Sequence, residues 1–362
     1  MKNKLSCKKK LIVSGILLGS SFILFLMAKY INNFSDFYYK YVYLVLLNTI
    51  SRAFSFIPFS VYELLLYGFV IFIFAQLIMY VNLKINKKIS FKEIIIRSVS
   101  NILVYISIFV FLNIISQGIN SFKSDFVTLT NLKVIDSSQE KLIKLCNYLK
   151  DNLNELDNKI EKDENGFLKL DDNVKQEGID TMKSLGETYP WLKGYYPNPK
   201  SYIFSELMSY QLLLGETTFT IEANYNNDMP EYNIPSTICH ELSHIRGFNN
   251  EYEANYISFL ACINSKSYEY QYSGYLMAYS YCMNDLYMTN EDAFNTINSE
   301  LSQNVKLELR NDSLYWNNYR GGISNLYNKV YDVLLKAGGQ EAGIRSYNKV
   351  VKLLISGYEV QF

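Results

Sequence analysis

Residues 11–28, LIVSGILLGSSFILFLMA, run for eighteen positions without a charge. A tilted helix of about that length crosses the roughly 30 Å of hydrocarbon in a bilayer. Two further runs repeat the pattern, LLLYGFVIFIFAQLIMYV at 64–81 and SVSNILVYISIFVFLNIIS at 98–116, the latter weakened only by Asn101, Asn113 and serines. Three N-terminal transmembrane helices are therefore expected, and residues 1–116 read as a membrane anchor. The first run is longer than the apolar core of a cleaved leader and no A-x-A-like site follows it, so it is expected to remain as a span.

Cations set the expected orientation. Lys2, Lys4, Lys8, Lys9 and Lys10 precede the first run, and Lys84, Lys87, Lys88, Lys92 and Arg97 separate the second from the third. Both segments are expected on the cytoplasmic side of a cell membrane. The longer connection 29–63 holds only Lys29, Lys40 and Arg52 and belongs opposite. An odd number of spans then places residues 117–362 outside the cytoplasm. Tyr38 to Phe59 is aromatic, apolar and nearly uncharged up to Pro58, which suits a helix lying in the interface. A fourth span there is the alternative, and it would move the large domain inside.

Apolar residues make up 49% of the chain, above the soluble norm, in keeping with a membrane portion. Lys plus Arg equals Asp plus Glu at 35 each, so no basic field draws nucleic acid. Cys7, Cys146, Cys239, Cys262 and Cys282 lack the paired spacing of a thiolate metal site or redox motif and are expected free and mostly buried.

After residue 117 the composition is that of a globular domain, mainly α with a small β-sheet. Ser137 and Glu140 form a capping-box pattern before Leu142, Ile143, Cys146, Leu149 and Leu153, a helix with one apolar face. Asp171 to Leu185 reads as another helix, and a Pro- and Tyr-rich loop spans Tyr189 to Lys200. Thr217 to Tyr225 alternates as one half-buried strand, and 253–362 reads as nearly all helical with breaks near Asn311, Gly321-Gly322 and Gly338-Gly339.

The chemistry is concentrated in STICHELSHIRGFNNEYEAN at 236–255, which holds both of the chain's histidines in one H-E-x-x-H pattern. Two histidines placed at random in such a chain fall four apart about once in 200 cases, before the Glu is required. On a helix, positions i and i+4 share a face, so His240 and His244 can offer nitrogen to one ion while Glu241 reaches a water on it. Zinc with an open position lowers the pKa of that water toward 7, and Glu241 is the expected base. The third ligand is expected from the acids that follow. Glu253, in the first turn of an apolar helix starting at Asn250, is preferred over Glu251, which is expected in the loop, because a packed helix pre-organises a ligand. The competing role for Glu253 is the return bond of a capping box. The expected substrate is a peptide or protein laid beside an exposed edge, with the strand Thr217 to Tyr225 as that edge.

The segment 240–255 resembles the H-E-x-x-H…E-A-N core of gluzincin-type metallopeptidases, and above all the bacterial membrane family known as domain of unknown function 3810. Three N-terminal spans, IPFS at 57–60, EAN at 222–224 and GIRSY at 343–347 before an apolar helix extend the resemblance over almost the whole chain. It implies a gluzincin-like domain with Zn2+ at His240, His244 and Glu253 and with Glu241 catalytic; it implies no substrate. One departure is that Ile257, not Asp, stands four residues after Glu253, leaving the partner of the first histidine unassigned. With no third histidine, the oxyanion donor besides zinc is expected to be a Tyr or Arg, Tyr347 first.

Two rival readings remain at this level. An intramembrane protease is disfavoured, because Ser236, Thr237, Arg246, Asn249 and Asn250 flank the motif and no apolar run contains it. A non-catalytic zinc-containing membrane sensor or surface-binding protein is the other, against which Glu241 speaks. The cation pattern generates a test: on intact cells, a membrane-impermeant thiol reagent should label a cysteine placed in the turn Asp163 to Gly166 and spare Cys7. Labelling in the reverse sense would refute the orientation.

Overall fold

The computed structural model describes residues 2–86, 88–337 and 347–361. Three helices within them are long and apolar enough to cross a membrane, over Cys7–Tyr30, Val61–Ile85 and Phe91–Phe122. Each contains one of the runs expected from sequence. The first and third pack along each other, with Ser14, Ser21, Ser100 and Ser107 buried. Those hydroxyls return to carbonyls of their own helices, Ser14 to Lys10, Ser21 to Leu17, Ser100 to Ile96 and Ser107 to Val104, so each is paired within its helix.

Between the first two apolar helices, residues 34–55 form a continuous helical run interrupted by π turns at Tyr39–Tyr43 and Leu47–Ser51. One side is fully buried through Tyr43 and Leu47, and Tyr43 donates to the carbonyl of Ile245 at 3.0 Å. The other side exposes Phe37, Tyr41, Val45 and Ile50. This division fits the interfacial helix rather than a fourth span. Phe25 near the end of the first apolar helix packs on Phe122, Val61 and Tyr62 at the start of the second donate to Glu222, and Gln117 near the end of the third donates to Thr218.

The large domain is helical around a three-stranded sheet of order β1-β3-β2, with β1 Lys200–Ser201, β2 Gly215–Thr217 and β3 Ala223–Tyr225. β1 and β3 run parallel; β2 and β3 are antiparallel, pairing Gly215 with Tyr225 and Thr217 with Ala223. The single strand expected over Thr217 to Tyr225 is thus a hairpin. Ile221 has a φ of 56°, a left-handed value that β-branched residues rarely adopt. Tertiary contacts hold it there: Phe219 at the tip packs edge-on against Tyr62 and Phe109 of the second and third apolar helices. Glu222 accepts from the Val61 and Tyr62 amides at 3.1 Å, and from the buried Lys200 ammonium. Its carboxylate therefore caps the positive N-terminus of the second apolar helix, beside the Ser60 side chain that caps Glu63.

Other boundaries shift modestly. The helix with an apolar face spans Gln139–Leu156 with Ser138, not Ser137, as N-cap, and the next spans Val174–Thr188. Asn311 lies inside the helix Gln303–Tyr319, where the next residue, Asp312, accepts from Trp316 one turn on and, as a tertiary contact, from Asn233. The chain breaks at Arg320-Gly321 as expected, and Gly338-Gly339 lies outside the described residues. Cys146, Cys239, Cys262 and Cys282 are free and buried. Lys200 and Glu222 are each 2% exposed in the side chain, so Lys200→Met should leave an uncompensated carboxylate and cost about 3–5 kcal/mol, read as a lowered Tm of the full chain in detergent. A Tm equal to wild type would show that the amides alone satisfy Glu222.

Candidate metal centre

The H-E-x-x-H motif lies on the helix Asn233–Ile245, whose Ile238, Leu242 and Ile245 are fully buried and which packs on the following helix, Glu251–Ile263. Pro235 stands in its first turn, where a missing N–H costs little. The Ser236 amide donates to Ser273 Oγ at 3.0 Å, and that hydroxyl donates to the Tyr232 carbonyl. The helix ends in a Schellman turn: Gly247 takes a φ of 75°, its N–H reaches the His244 carbonyl at 2.8 Å, and the Phe248 N–H reaches Ser243 at 3.2 Å.

That turn aims the Phe248 carbonyl at His244 Nδ1, 2.8 Å away, while Asn255 Oδ1 lies 2.8 Å from His240 Nδ1. Both partners are oxygens that accept, so each ring carries its proton on Nδ1 and turns an Nε2 lone pair inward. The two Nε2 atoms are 3.0 Å apart, and Glu251 Oε2 lies 3.3 Å from that of His240 and 3.9 Å from that of His244. Tetrahedral ligands about 2.0–2.1 Å from a metal stand about 3.3 Å from one another. Three electron pairs converge at that spacing, an arrangement that repels itself unless a metal ion or a proton sits among them.

The carboxylate that joins the two imidazoles is thus Glu251, not the Glu253 expected from sequence. Helix Glu251–Ile263 starts where the sequence placed it, with Asn250 as N-cap, and it takes in Glu251, which was expected in the loop. Glu253 points elsewhere: its carboxylate accepts from the Phe126 amide at 2.5 Å and from Asn250 Nδ2 at 2.7 Å. It fastens the segment around Phe126 to the helix, and its bond with Asn250 is to the side-chain amide rather than the backbone return bond of a capping box. Counted from Glu251, the residue four positions on is Asn255, one helical turn further along the same face, which supplies the missing partner of His240.

Glu241 stands beside the trio. Thr217 of β2 donates to its Oε2 at 2.8 Å, and a Cβ on Gly215 would meet its Oε1 at 2.6 Å. Burial pushes the Glu241 carboxyl up to about 8, with the His240 charge and the Thr217 bond working against it. Burial and the His240 charge push His244 down to about 4. Burial opposes ionisation of Glu251, but the hydrogen bond to His240 and the charges of both imidazoles outweigh it and hold the acid at about 2. Burial also works against protonation of His240, and its bond to Glu251 more than offsets this.

These groups line a cleft of about 470 Å³, walled by Leu213–Thr217 of the edge strand segment, by Asn113 and Gln117 at the end of the third apolar helix, and by Tyr327 and Tyr331 of the helix Gly322–Ala337. Tyr331 donates to Glu251 Oε1 at 2.7 Å. No pattern marks Tyr331 among 32 tyrosines. Tyr347 begins the last helix, and its side chain lies outside the described residues.

One family, described as a protein of unknown function (DUF3810), matches residues 38–355. No curated protein and no solved structure matches the chain. The tight approach at Gly215 makes its own test. Gly215→Ala would also bring a Cβ to 2.8 Å from the Asn224 carbonyl, so it should cost about 1–3 kcal/mol by overpacking, seen as a fall in Tm. An unchanged Tm would refute the close packing of Glu241 on the strand.

Proposed function

The chain belongs to the DUF3810 family of proteins of unknown function, and from the residues of its own cleft we propose that it is a zinc-dependent metallopeptidase anchored in the cytoplasmic membrane. The supporting observation is the convergence of His240 Nε2, His244 Nε2 and Glu251 Oε2 beside a Glu241 that touches none of the partners holding them. Two imidazoles and one carboxylate suit a catalytic rather than a closed structural zinc site, since a fourth position is left for substrate and water. Zinc held there would polarise a peptide carbonyl and acidify water. Glu241, oriented by Thr217, takes the proton of the attacking water and passes it to the leaving amine. Asn255, the Phe248 carbonyl and Tyr331 hold the three donors in place. The free edge of β2 can pair with an extended peptide, in place of the edge Thr217 to Tyr225 expected from sequence, since β3 is central. The cation pattern of the anchor puts the cleft outside the cytoplasm.

The test uses the full chain in detergent, with metal content and cleavage of a peptide library measured on the same samples. Wild type should hold about one zinc per chain, and His240→Ala, His244→Ala and Glu251→Gln should lose it. Asn255→Ala should weaken zinc about 10- to 100-fold. Glu253→Gln should lower Tm yet retain zinc. Glu241→Gln should retain zinc and Tm while cleavage falls about 10²- to 10⁴-fold. A wild type that binds zinc and cleaves nothing would replace the enzyme with a zinc-containing binding protein, and equal zinc in wild type and all three ligand variants would overturn the metal reading itself.

A further inference from the structure

The end of a membrane helix is itself a wall of the cleft. Asn113 and Gln117 close the third apolar helix and line the same space as His240, Glu241 and Thr217. Gln117 is bonded to both flanks of the site: its Nε2 donates to the Thr218 carbonyl at 3.3 Å, and its carbonyl accepts from Asn249 at 2.6 Å. Beyond Thr218 the hairpin tip reaches further toward the bilayer. The Phe219 ring lies 5.8 Å from that of Phe109, which stands one helical turn, about 6 Å, deeper in the span than Asn113.

The strand that flanks Glu241 therefore runs toward the membrane. Thr217 is two residues from Phe219, at most about 7 Å of extended chain, so the carboxylate bonded to Thr217 sits close to the hydrocarbon margin. Ile203, Phe204 and Leu207 are exposed, and the backbone amides of Ile203 and Phe204 donate to Glu63 in the first turn of the second apolar helix. Phe37, Tyr41 and Phe56, between the first two spans, are exposed as well, and apolar residues next to spans suit the interface.

β2 is also short. Three residues of free edge offer few backbone bonds against the cost of immobilising a free peptide. A polypeptide already held in the same bilayer avoids most of that cost. We infer that the cleft acts on membrane-tethered polypeptides and takes the segment directly outside their own membrane span, laid along β2 as it leaves the lipid. This rests on the metallopeptidase reading and narrows its substrate class.

The experiment places the full chain, loaded with zinc, in lipid vesicles. The tethered probe is a single apolar helix followed by a mixed-sequence segment of about 40 residues, and the free probe is that segment alone. Cut positions are read by mass spectrometry, with Glu241→Gln as the blank. Cuts should fall within about ten residues of the span, and the free segment should be cut at least about tenfold more slowly. Cuts spread evenly along the tethered segment, or equal rates for the free one, would overturn the inference and leave the peptidase intact. No cleavage of either probe by zinc-loaded protein would overturn both.

Discussion

The reversal at Gly247 is the constraint on which the site depends. A left-handed residue there ends the motif helix with both Schellman bonds made, and it is this turn that brings the Phe248 carbonyl back to His244. The same turn sends the chain into the helix Glu251–Ile263 alongside the first, so that Glu251 and Asn255, one turn apart, face His240. A side chain at Gly247 would be strained at its φ and would press on Tyr39 of the surface helix at 2.9 Å. The candidate site and the helical run over residues 34–55 thus share one tight turn.

A second connection runs through buried charge. Glu222 joins Lys200 on β1, the hairpin that carries Thr217, and the first amides of the second apolar helix. Burying a carboxylate and an ammonium is costly unless every remaining hydrogen-bonding position is used, and here the helix N-terminus and the Phe54 carbonyl use them. The network fixes where the hairpin stands against the spans. Since Thr217 on that hairpin orients Glu241, the position of this carboxylate is tied to the apolar helices.

Three glutamates within thirteen positions differ in role because their partners differ. Glu241 is buried against Gly215 with one hydroxyl donor, which favours the neutral acid; Glu251 faces two imidazoles, which favour the anion; Glu253 accepts a backbone amide and an asparagine and serves packing. Residue type cannot separate them. Their surroundings do.

What the chain's own order determined was the part governed by local periodicity and rarity. Three apolar runs of spanning length, a cation asymmetry, and two histidines at helical spacing around a glutamate are legible because hydrocarbon thickness and the 3.6-residue turn act on contiguous residues. What the tertiary structure decided was everything set by which distant groups meet. Alternation from Thr217 to Tyr225 suits one strand, yet Phe219 docking between two apolar helices and Glu222 pairing with Lys200 fold it into a hairpin. The choice between Glu251 and Glu253 turned on a helix starting at Glu251 and on the Phe126 amide, which lies 127 residues away from its acceptor. Tyr331 reaches Glu251 across 80 residues of sequence, and no local pattern encodes such a meeting, because packing energy depends on proximity in space and not along the chain.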